Sequence, residues 1–442
     1  MTRRERLAIL LGSATLALVA AAPSAQAGGF AIREQSAYGQ GSSFAGIAAG
    51  GSVSSMFWNP ATLAGVSVFE LENVASGVFI DTDVDVLGPE ALTIALPPPL
   101  PPLLIPTGAP HEEGDIGQDA VIPAKYAGYR LTDAVVLGIG INSGFGLVTN
   151  YTDDSPLRDF GVSGTSDVLS LNVNPALSVE LTDWLAFGIG AQIQYIDVRL
   201  TNQTLPGTGE IAEISGDDVG FGLTAGVLIT PMPGTDIGLG YRSFIDHELE
   251  GETEIADDAE DSSLDGFDLP DIVTFGIRQR ITDRFRVMAG AEWSNWSRFE
   301  EAALTFDGVE ETLPFEWNDG WFFSLGGEFD VTDRLALRAG IGYELSPLDD
   351  ENRIYRLPDN DRLWLSAGAS FKATERLSLD LGYSFITAEN SDLLAAEEFG
   401  SDGPSANGPF FGEAESQVHV IAVALKVKLG AVSPPEQPIF TK

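Results

Sequence analysis

The chain has 442 residues, with 24 basic against 65 acidic side chains, a formal charge of −41 and no cysteine. So acidic a balance argues against a nucleic-acid partner, because phosphate contacts need clustered lysine and arginine. Absent cysteine excludes disulfides and thiolate metal sites, and beyond the leader no run of about 18 apolar residues offers a helical membrane span.

Residues 1–27 carry the pattern of a secretory signal. Arg3, Arg4 and Arg6 form its basic end, Leu7 to Ala22 its apolar core, and Ala25-Gln26-Ala27 a small-residue cleavage site. The expected mature chain starts at Gly28. From there to Ser55 the sequence is rich in Gly, Ser and Ala, and shows no usable periodicity. It leads into Phe57-Trp58-Asn59-Pro60-Ala61, where the Asn-Pro pair fixes the proline φ and drives the preceding residue out of the helical region. Such a corner is either a plain turn before the first strand or the anchor of a plug folded inside a barrel.

From about Val66 to Leu429 the pattern is strands. Six short polar marks recur, with their acidic residues at Asp133, Asp183, Asp236, Asp283, Asp333 and Glu375. Each is flanked by alternating apolar residues, the signal of a tight hairpin, and a longer polar stretch lies between consecutive marks. With a first strand near Val66–Ile80 and a last near Val418–Leu429, six short turns and seven long connections join 14 strands. An even count with short turns on one side and long loops on the other fits an antiparallel transmembrane β-barrel. A propeller or solenoid would not favour that asymmetry.

The strand faces bear on the solvent. Leu335, Leu337, Ala339, Ile341 and Tyr343 alternate with Ala336, Arg338, Gly340 and Gly342. Leu377 to Phe385 and Leu185 to Tyr195 alternate likewise. Alternation alone also suits a soluble sandwich with one wet face. Joined to the export signal, the turn asymmetry and aromatics near strand ends, it predicts lipid outside and a polar lumen. The domain reading is therefore a signal at 1–27, a plug or hatch at 28–65, a barrel at 66–430 and a periplasmic tail at 431–442. The proline-rich run 97–106 reads as a stiff loop over the mouth or a greasy landing surface. The carboxylate-rich run 247–268 reads as a solvated loop without an EF-hand pattern.

Several motifs together resemble the FadL/TodX family of outer-membrane transporters for hydrophobic compounds. They are Gly28-Gly29-Phe30, Gln35, Ser36, Gly39, Gly41 and Asn59-Pro60-Ala61, followed by Gly138-Ile139-Gly140-Ile141-Asn142-Ser143-Gly144-Phe145-Gly146. The latter resembles the family's third strand, with Gly144 where a proline is frequent. The resemblance implies a hatch containing Phe30, Asn59, Pro60 and Ala61. It also implies a lateral opening at the third strand through Gly138, Gly140, Gly144, Phe145 and Gly146. Apolar solute would pass from a lumenal pocket sideways into the membrane. Glycines inside a strand mark a kink or a close approach, so the four glycines either bend the wall or let the hatch pack against it.

Arg278, Arg280 and Arg338 fall on the expected lumen face, with Arg286 and Lys426. They are candidates for a substrate carboxylate, or else pair with Glu292, Glu328 or Asp380. The three histidines lack metal spacing and no nucleophile motif is present. The expected function is passive, monomeric uptake of a hydrophobic small molecule, foremost a long-chain fatty acid, in contact with outer-membrane lipid and lipopolysaccharide. It needs no metal or cofactor. An aromatic-hydrocarbon importer, a general porin and an outer-membrane lipase are the alternatives.

Overall fold

The computed structural model describes residues 28–88, 91–94, 103–152, 155–159, 163–203, 211–255, 258–306, 308–350, 353–394 and 411–430. The expected signal, the tail and residues 97–102 of the proline-rich run lie outside this set.

Fourteen long strands form the wall: β1 Phe69–Leu87, β2 Ala120–Arg130, β3 Val135–Asn142, β4 Thr165–Thr182, β5 Leu185–Gln203, β6 Ile211–Met232 and β7 Thr235–Arg242. They continue as β8 Ile272–Arg280, β9 Phe285–Ser294, β10 Gly320–Asp330, β11 Leu335–Leu345, β12 Arg362–Lys372, β13 Leu377–Ala388 and β14 Phe411–Leu429. Each pairs antiparallel with its neighbours, and β14 closes on β1 from Phe69↔Leu429 to Leu87↔Phe411. Closure leaves no sheet edge, which is what a strand protein in lipid requires. The first and last strands extend well past the expected limits of Ile80 and Val418.

All six short marks are the tight connections. In four of them threonine does the work: its hydroxyl accepts the N–H three residues on. The bonds are Val135 to Thr132 (3.1 Å), and Phe285 to Thr282, Leu335 to Thr332 and Leu377 to Thr374 (3.0 Å each). A side chain that closes its own turn needs no tertiary help. The faces also follow the sequence. Leu337, Ile341, Phe187, Ile189, Leu381 and Tyr383 are exposed on the outside, while Gln192, Gln194, Arg338, Asp380 and Ser384 are buried on the inside.

The run 247–268 is not a loop. Leu249–Ile255 and Asp258–Asp265 form a hairpin that carries the wall beyond the membrane, pairing with β6 on one side and Glu301–Phe306 on the other. Glu250, Glu252, Glu254, Glu260, Asp261 and Asp265 face water, whereas Leu249 and Leu264, with Leu304 of the neighbouring strand, supply a buried apolar face. That period-2 pattern is present beneath the charge.

Residues 28–65 lie inside the barrel. One helical turn, α1 Ala37–Gln40, is followed by 3-10 turns at Ile47–Ala49, Val53–Phe57 and Pro60–Gly65, nearly all buried. The backbone of this segment rests directly on wall glycines. A Cβ at Gly240 would lie 1.8 Å from Trp58 O, one at Gly238 1.9 Å from Ala48 O, and one at Gly340 2.2 Å from Ser42 O. These wall positions carry no side chain because the plug occupies that volume.

Candidate functional site at the kinked third strand

Strand β2 pairs with β3 from Arg130↔Val136 up to Lys125↔Ile141, and there the ladder ends. Above that point β2 stays on β1 as far as Val78↔Ala120. Strand β3 stops at Asn142 and resumes as Gly146–Asn150, still beside β4, with one residue gained between Asn142↔Asn172 and Gly146↔Leu169. One extra residue bends the strand inward and parts it from β2.

The N-terminal segment seals the parting. Ile32 N donates to Gly144 O and Gly146 N to Phe30 O, both at 2.8 Å, with Ala31 opposite Phe145. Residues 30–32 thus act as a short strand along the freed edge of β3. The Gln35 amide donates to Ser143 O, and Ser170 Oγ bonds both the N–H (3.0 Å) and the carbonyl (2.6 Å) of Phe145.

The same segment fills an aromatic cage. Around the Phe30 ring stand Trp296 (centroids 4.8 Å apart), Phe267 (5.6 Å), Trp317 (5.8 Å), Phe299 (5.9 Å) and Phe145 (6.1 Å). Leu147, Ile196 and Leu269 complete the buried apolar shell. A Cβ at Gly29 would meet Trp317 at 2.8 Å, so only glycine admits the chain here. Phe30 and Phe145 are thus brought together. Trp296, Phe299 and Trp317 were invisible to periodicity because they lie between strands rather than in them.

The remaining candidates divide. Gly138 serves the plug: a Cβ there would lie 2.5 Å from Leu63. Gly140 faces Tyr126 and Asn142, while Gly144 and Phe145 form the kink, with Gly146 restarting the strand. Asn59 accepts from Ala61 N (2.9 Å) and donates to Ala48 O (2.7 Å) and Val227 O (2.9 Å). It caps the turn that opens with Pro60 and ties it to the wall. Ala61 O accepts from Ser178 Oγ at 3.2 Å.

The three cation candidates do not line the cage. Arg338 stacks 4.2 Å over Tyr38 and pairs with Glu328 (3.4 Å) and Asp380 (3.6 Å), and Arg278 donates to Tyr38 OH at 2.9 Å. Both hold α1 against the wall. Arg280 is exposed, its N–H on Gly234 O beside a short turn, because its in-facing register position falls at the end of β8. A different cation is better placed. Arg242, at the end of β7, lies 4.2 Å over the Phe57 ring and donates to Phe57 O (3.0 Å) and the Gln192 side chain. Among the described residues it makes no salt bridge, and Glu292, whose charge reaches it, is paired with Arg33. Phe57 in turn touches the kink, 3.7 Å from where a Gly144 Cβ would stand. Nearby buried donors are also unmatched among the described residues: Tyr126 OH, Asn142 Nδ2 and Gln194 Nε2.

A closed 14-stranded barrel with an apolar outside, short turns at one end and a chain segment inside it is the architecture of a bacterial outer-membrane protein. A family model described as outer membrane protein transport protein (OMPP1/FadL/TodX) matches residues 18–428, and the chain belongs to that family. It is accordingly an outer-membrane transport protein and not an enzyme. The chain is 26% identical over 451 residues to the long-chain fatty acid transport protein of Escherichia coli O6:H1, covering 89% of this chain and 96% of that protein. A Pseudomonas aeruginosa FadL homologue has a TM-score of 0.76 at 20% identity, over 91% of this chain and 99% of that one. The P. putida toluene transporter TodX gives 0.63 at 18% identity, over 86% and 95%.

Proposed function

We propose that the protein takes up hydrophobic molecules passively, with long-chain fatty acids as the principal cargo, and that it works as a monomer. One observation carries the reading: residues 30–32 close both the aromatic cage and the gap between β2 and β3. An apolar solute competing for the place of Phe30 loosens the strand that seals the wall, so binding and lateral exit are one event. The route has a physical reason. A water-filled pore gives an apolar molecule no favourable stopping place, whereas a greasy pocket beside a wall gap spares it the crossing of water. Residues 28–65 are the hatch in this scheme, anchored at Asn59-Pro60-Ala61.

The carboxylate end has its own partner set. Arg242 without a salt bridge among the described residues, together with the unmatched donors of Tyr126, Asn142 and Gln194, suits an anion near the kink. The name of the E. coli relative, long-chain fatty acid transport protein, agrees with this cargo. The aromatic cage alone equally suits a monoaromatic hydrocarbon, the cargo named for TodX, which is the second reading.

The test is uptake of labelled oleate and labelled toluene by cells lacking the gene and by cells with it restored. Restored oleate uptake supports the principal reading, and restored toluene uptake alone moves it to hydrocarbon. Neither, with small sugars passing instead, overturns it. Arg242→Gln is expected to slow oleate uptake about tenfold, the loss of one charge-assisted contact, while leaving any toluene uptake unchanged.

A further inference from the structure

The wall parts a second time, between β6 and β7. These strands pair from Met232↔Thr235 up to Thr224↔Arg242, and β6 pairs again with Leu249–Ile255 from Asp217↔Glu250. Between those ladders Ser243 N still donates to Leu223 O at 2.8 Å, but Leu223 N takes the Ser243 hydroxyl at 2.8 Å instead of its carbonyl. Two residues on, Ile245 would by register face Phe221. It exchanges both backbone bonds with Leu269 instead, at 2.9 and 3.3 Å. By strand alternation the N–H and C=O of Phe221 and Val219 point at the same edge, and among the described residues they have no backbone partner across it.

This break lies where the outside is still apolar. Phe221 is 72% exposed and Val219, Leu223, Tyr241 and Phe244 are exposed beside it, while Asp246 and Glu248 begin the polar rim above. Lipid offers backbone groups no hydrogen bond, so open wall at this depth is tolerated only where it borders a protein-lined or wet interior. The interior here is specific. Ile245, 2% exposed, turns inward over Gly220 and Gly222, where added Cβ atoms would lie 2.3 and 2.9 Å from it. Its backbone partner Leu269 belongs to the apolar shell around Phe30. Below, the Gln192 amide donates to Leu223 O (3.2 Å) and Ser243 O (3.3 Å). Above, buried His247 spans the break, its Nδ1 2.8 Å from Asp218 Oδ2 and its Nε2 3.2 Å from Gln194 Oε1.

We propose that this break is a second lateral portal, through which apolar solute passes between the outer acyl region of the membrane and the aromatic cage. Ile245 is its door, Gln192 and Ser243 are its sill, and the His247–Asp218 bridge is its latch. The cargo rests on the function proposed above; the existence of an opening does not.

The chain has no cysteine, so single labels are clean. Ile245→Cys carrying bimane is reconstituted into liposomes whose acyl chains bear nitroxide, with and without His247→Ala. Losing one charge-assisted bond shifts a two-state latch by about tenfold, and lipid quenching at position 245 should rise to match. Quenching that stays as low as at an inward Leu269→Cys control, latch or no latch, overturns the portal. In a second experiment Asp218→Cys with His247→Cys staples the break, and a Leu337→Cys with Ala369→Cys pair staples intact wall as the control. Oxidation of the first pair alone should lower oleate or toluene uptake, with recovery on reduction. Uptake unaffected by that staple overturns the portal as a solute route. Strong lipid quenching at 245 with no uptake of either solute by any form, the unmodified chain included, supports the opening and overturns the cargo.

Discussion

Asn59 makes three hydrogen bonds with one short side chain, each to a different part of the molecule. Its Oδ1 caps the last turn of the hatch, and its Nδ2 holds both Ala48 O and the wall carbonyl of Val227. Removing it takes the side-chain partner from buried Ala48 O and Ala61 N and unties the corner from Val227 O on the wall. Loss of the cap alone costs about 1–2 kcal/mol, and buried groups left unmatched add to that. Pro60 contributes only a preset φ at the first position of the turn, so its loss is the smaller effect. Asn59→Ala with Pro60→Ala is expected to raise amide exchange across residues 47–63 and alter uptake while leaving the barrel folded. Unchanged exchange and uptake at normal surface levels would remove Asn59 from the anchoring role. The sequence pointed to this residue because an Asn-Pro corner is a local device, readable without knowledge of what surrounds it.

Elements show how far such local reading reaches. The six turns, the strand count and the lipid-facing registers were legible because threonine-closed turns and period-2 apolarity are written within about ten residues of chain. The cage was not, since Trp296, Phe299 and Trp317 come from the two ends of the long connection between β9 and β10 and Phe267 from the one between β7 and β8, and only the closed barrel puts them around Phe30. Arg242 was missed for a related reason: its partners are a hatch carbonyl and a glutamine from another strand. Wall glycines lie between these cases, visible as inward-register residues but with no indication of what they admit. Gly240 is the sharpest of them. Adding one methyl forces Trp58 O away from the wall, an overpacking cost of about 1–3 kcal/mol. Gly240→Ala should therefore lift the hatch corner and give planar bilayers a larger ion conductance than the unmodified protein does. Beyond the membrane, Asp268 is held up to about 6, first by burial and then by its hydrogen bond to Asp246, with Arg298 pulling the other way. A carboxyl whose folded value is raised stabilises the fold fully below its unfolded value, and that contribution is lost as pH rises through about 6. Amides of the stretch joining β7 to β8 should therefore be better protected at about pH 5 than at about pH 7.5, after correction for intrinsic exchange. Asp268→Asn should abolish the difference; a difference that survives it assigns the effect elsewhere.

At the scale of the whole molecule, the ladder between β2 and β3 is broken above Lys125↔Ile141, and the N-terminal segment closes that break. Three residues supply the missing strand beside β3 and the ring that fills the cage. In the proposed scheme Phe30 is thus the protein's own competitor for an apolar solute. Burying a phenylalanine side chain is worth about 1.5–3 kcal/mol, so a solute that must displace Phe30 loses roughly ten- to a hundredfold of its intrinsic affinity. Phe30→Ala removes the competitor but keeps the backbone bonds of Ile32 and Gly146, because those use main-chain atoms only. The variant should bind oleate or toluene about ten- to a hundredfold more tightly than the unmodified chain, read as a change in the fluorescence of Trp296 and Trp317. The wall gap should stay closed until residues 30–32 themselves leave, so steady uptake should rise less than affinity does. Equal affinities in the two proteins would mean that Phe30 does not share its place with the solute, and that binding and lateral exit are separate events.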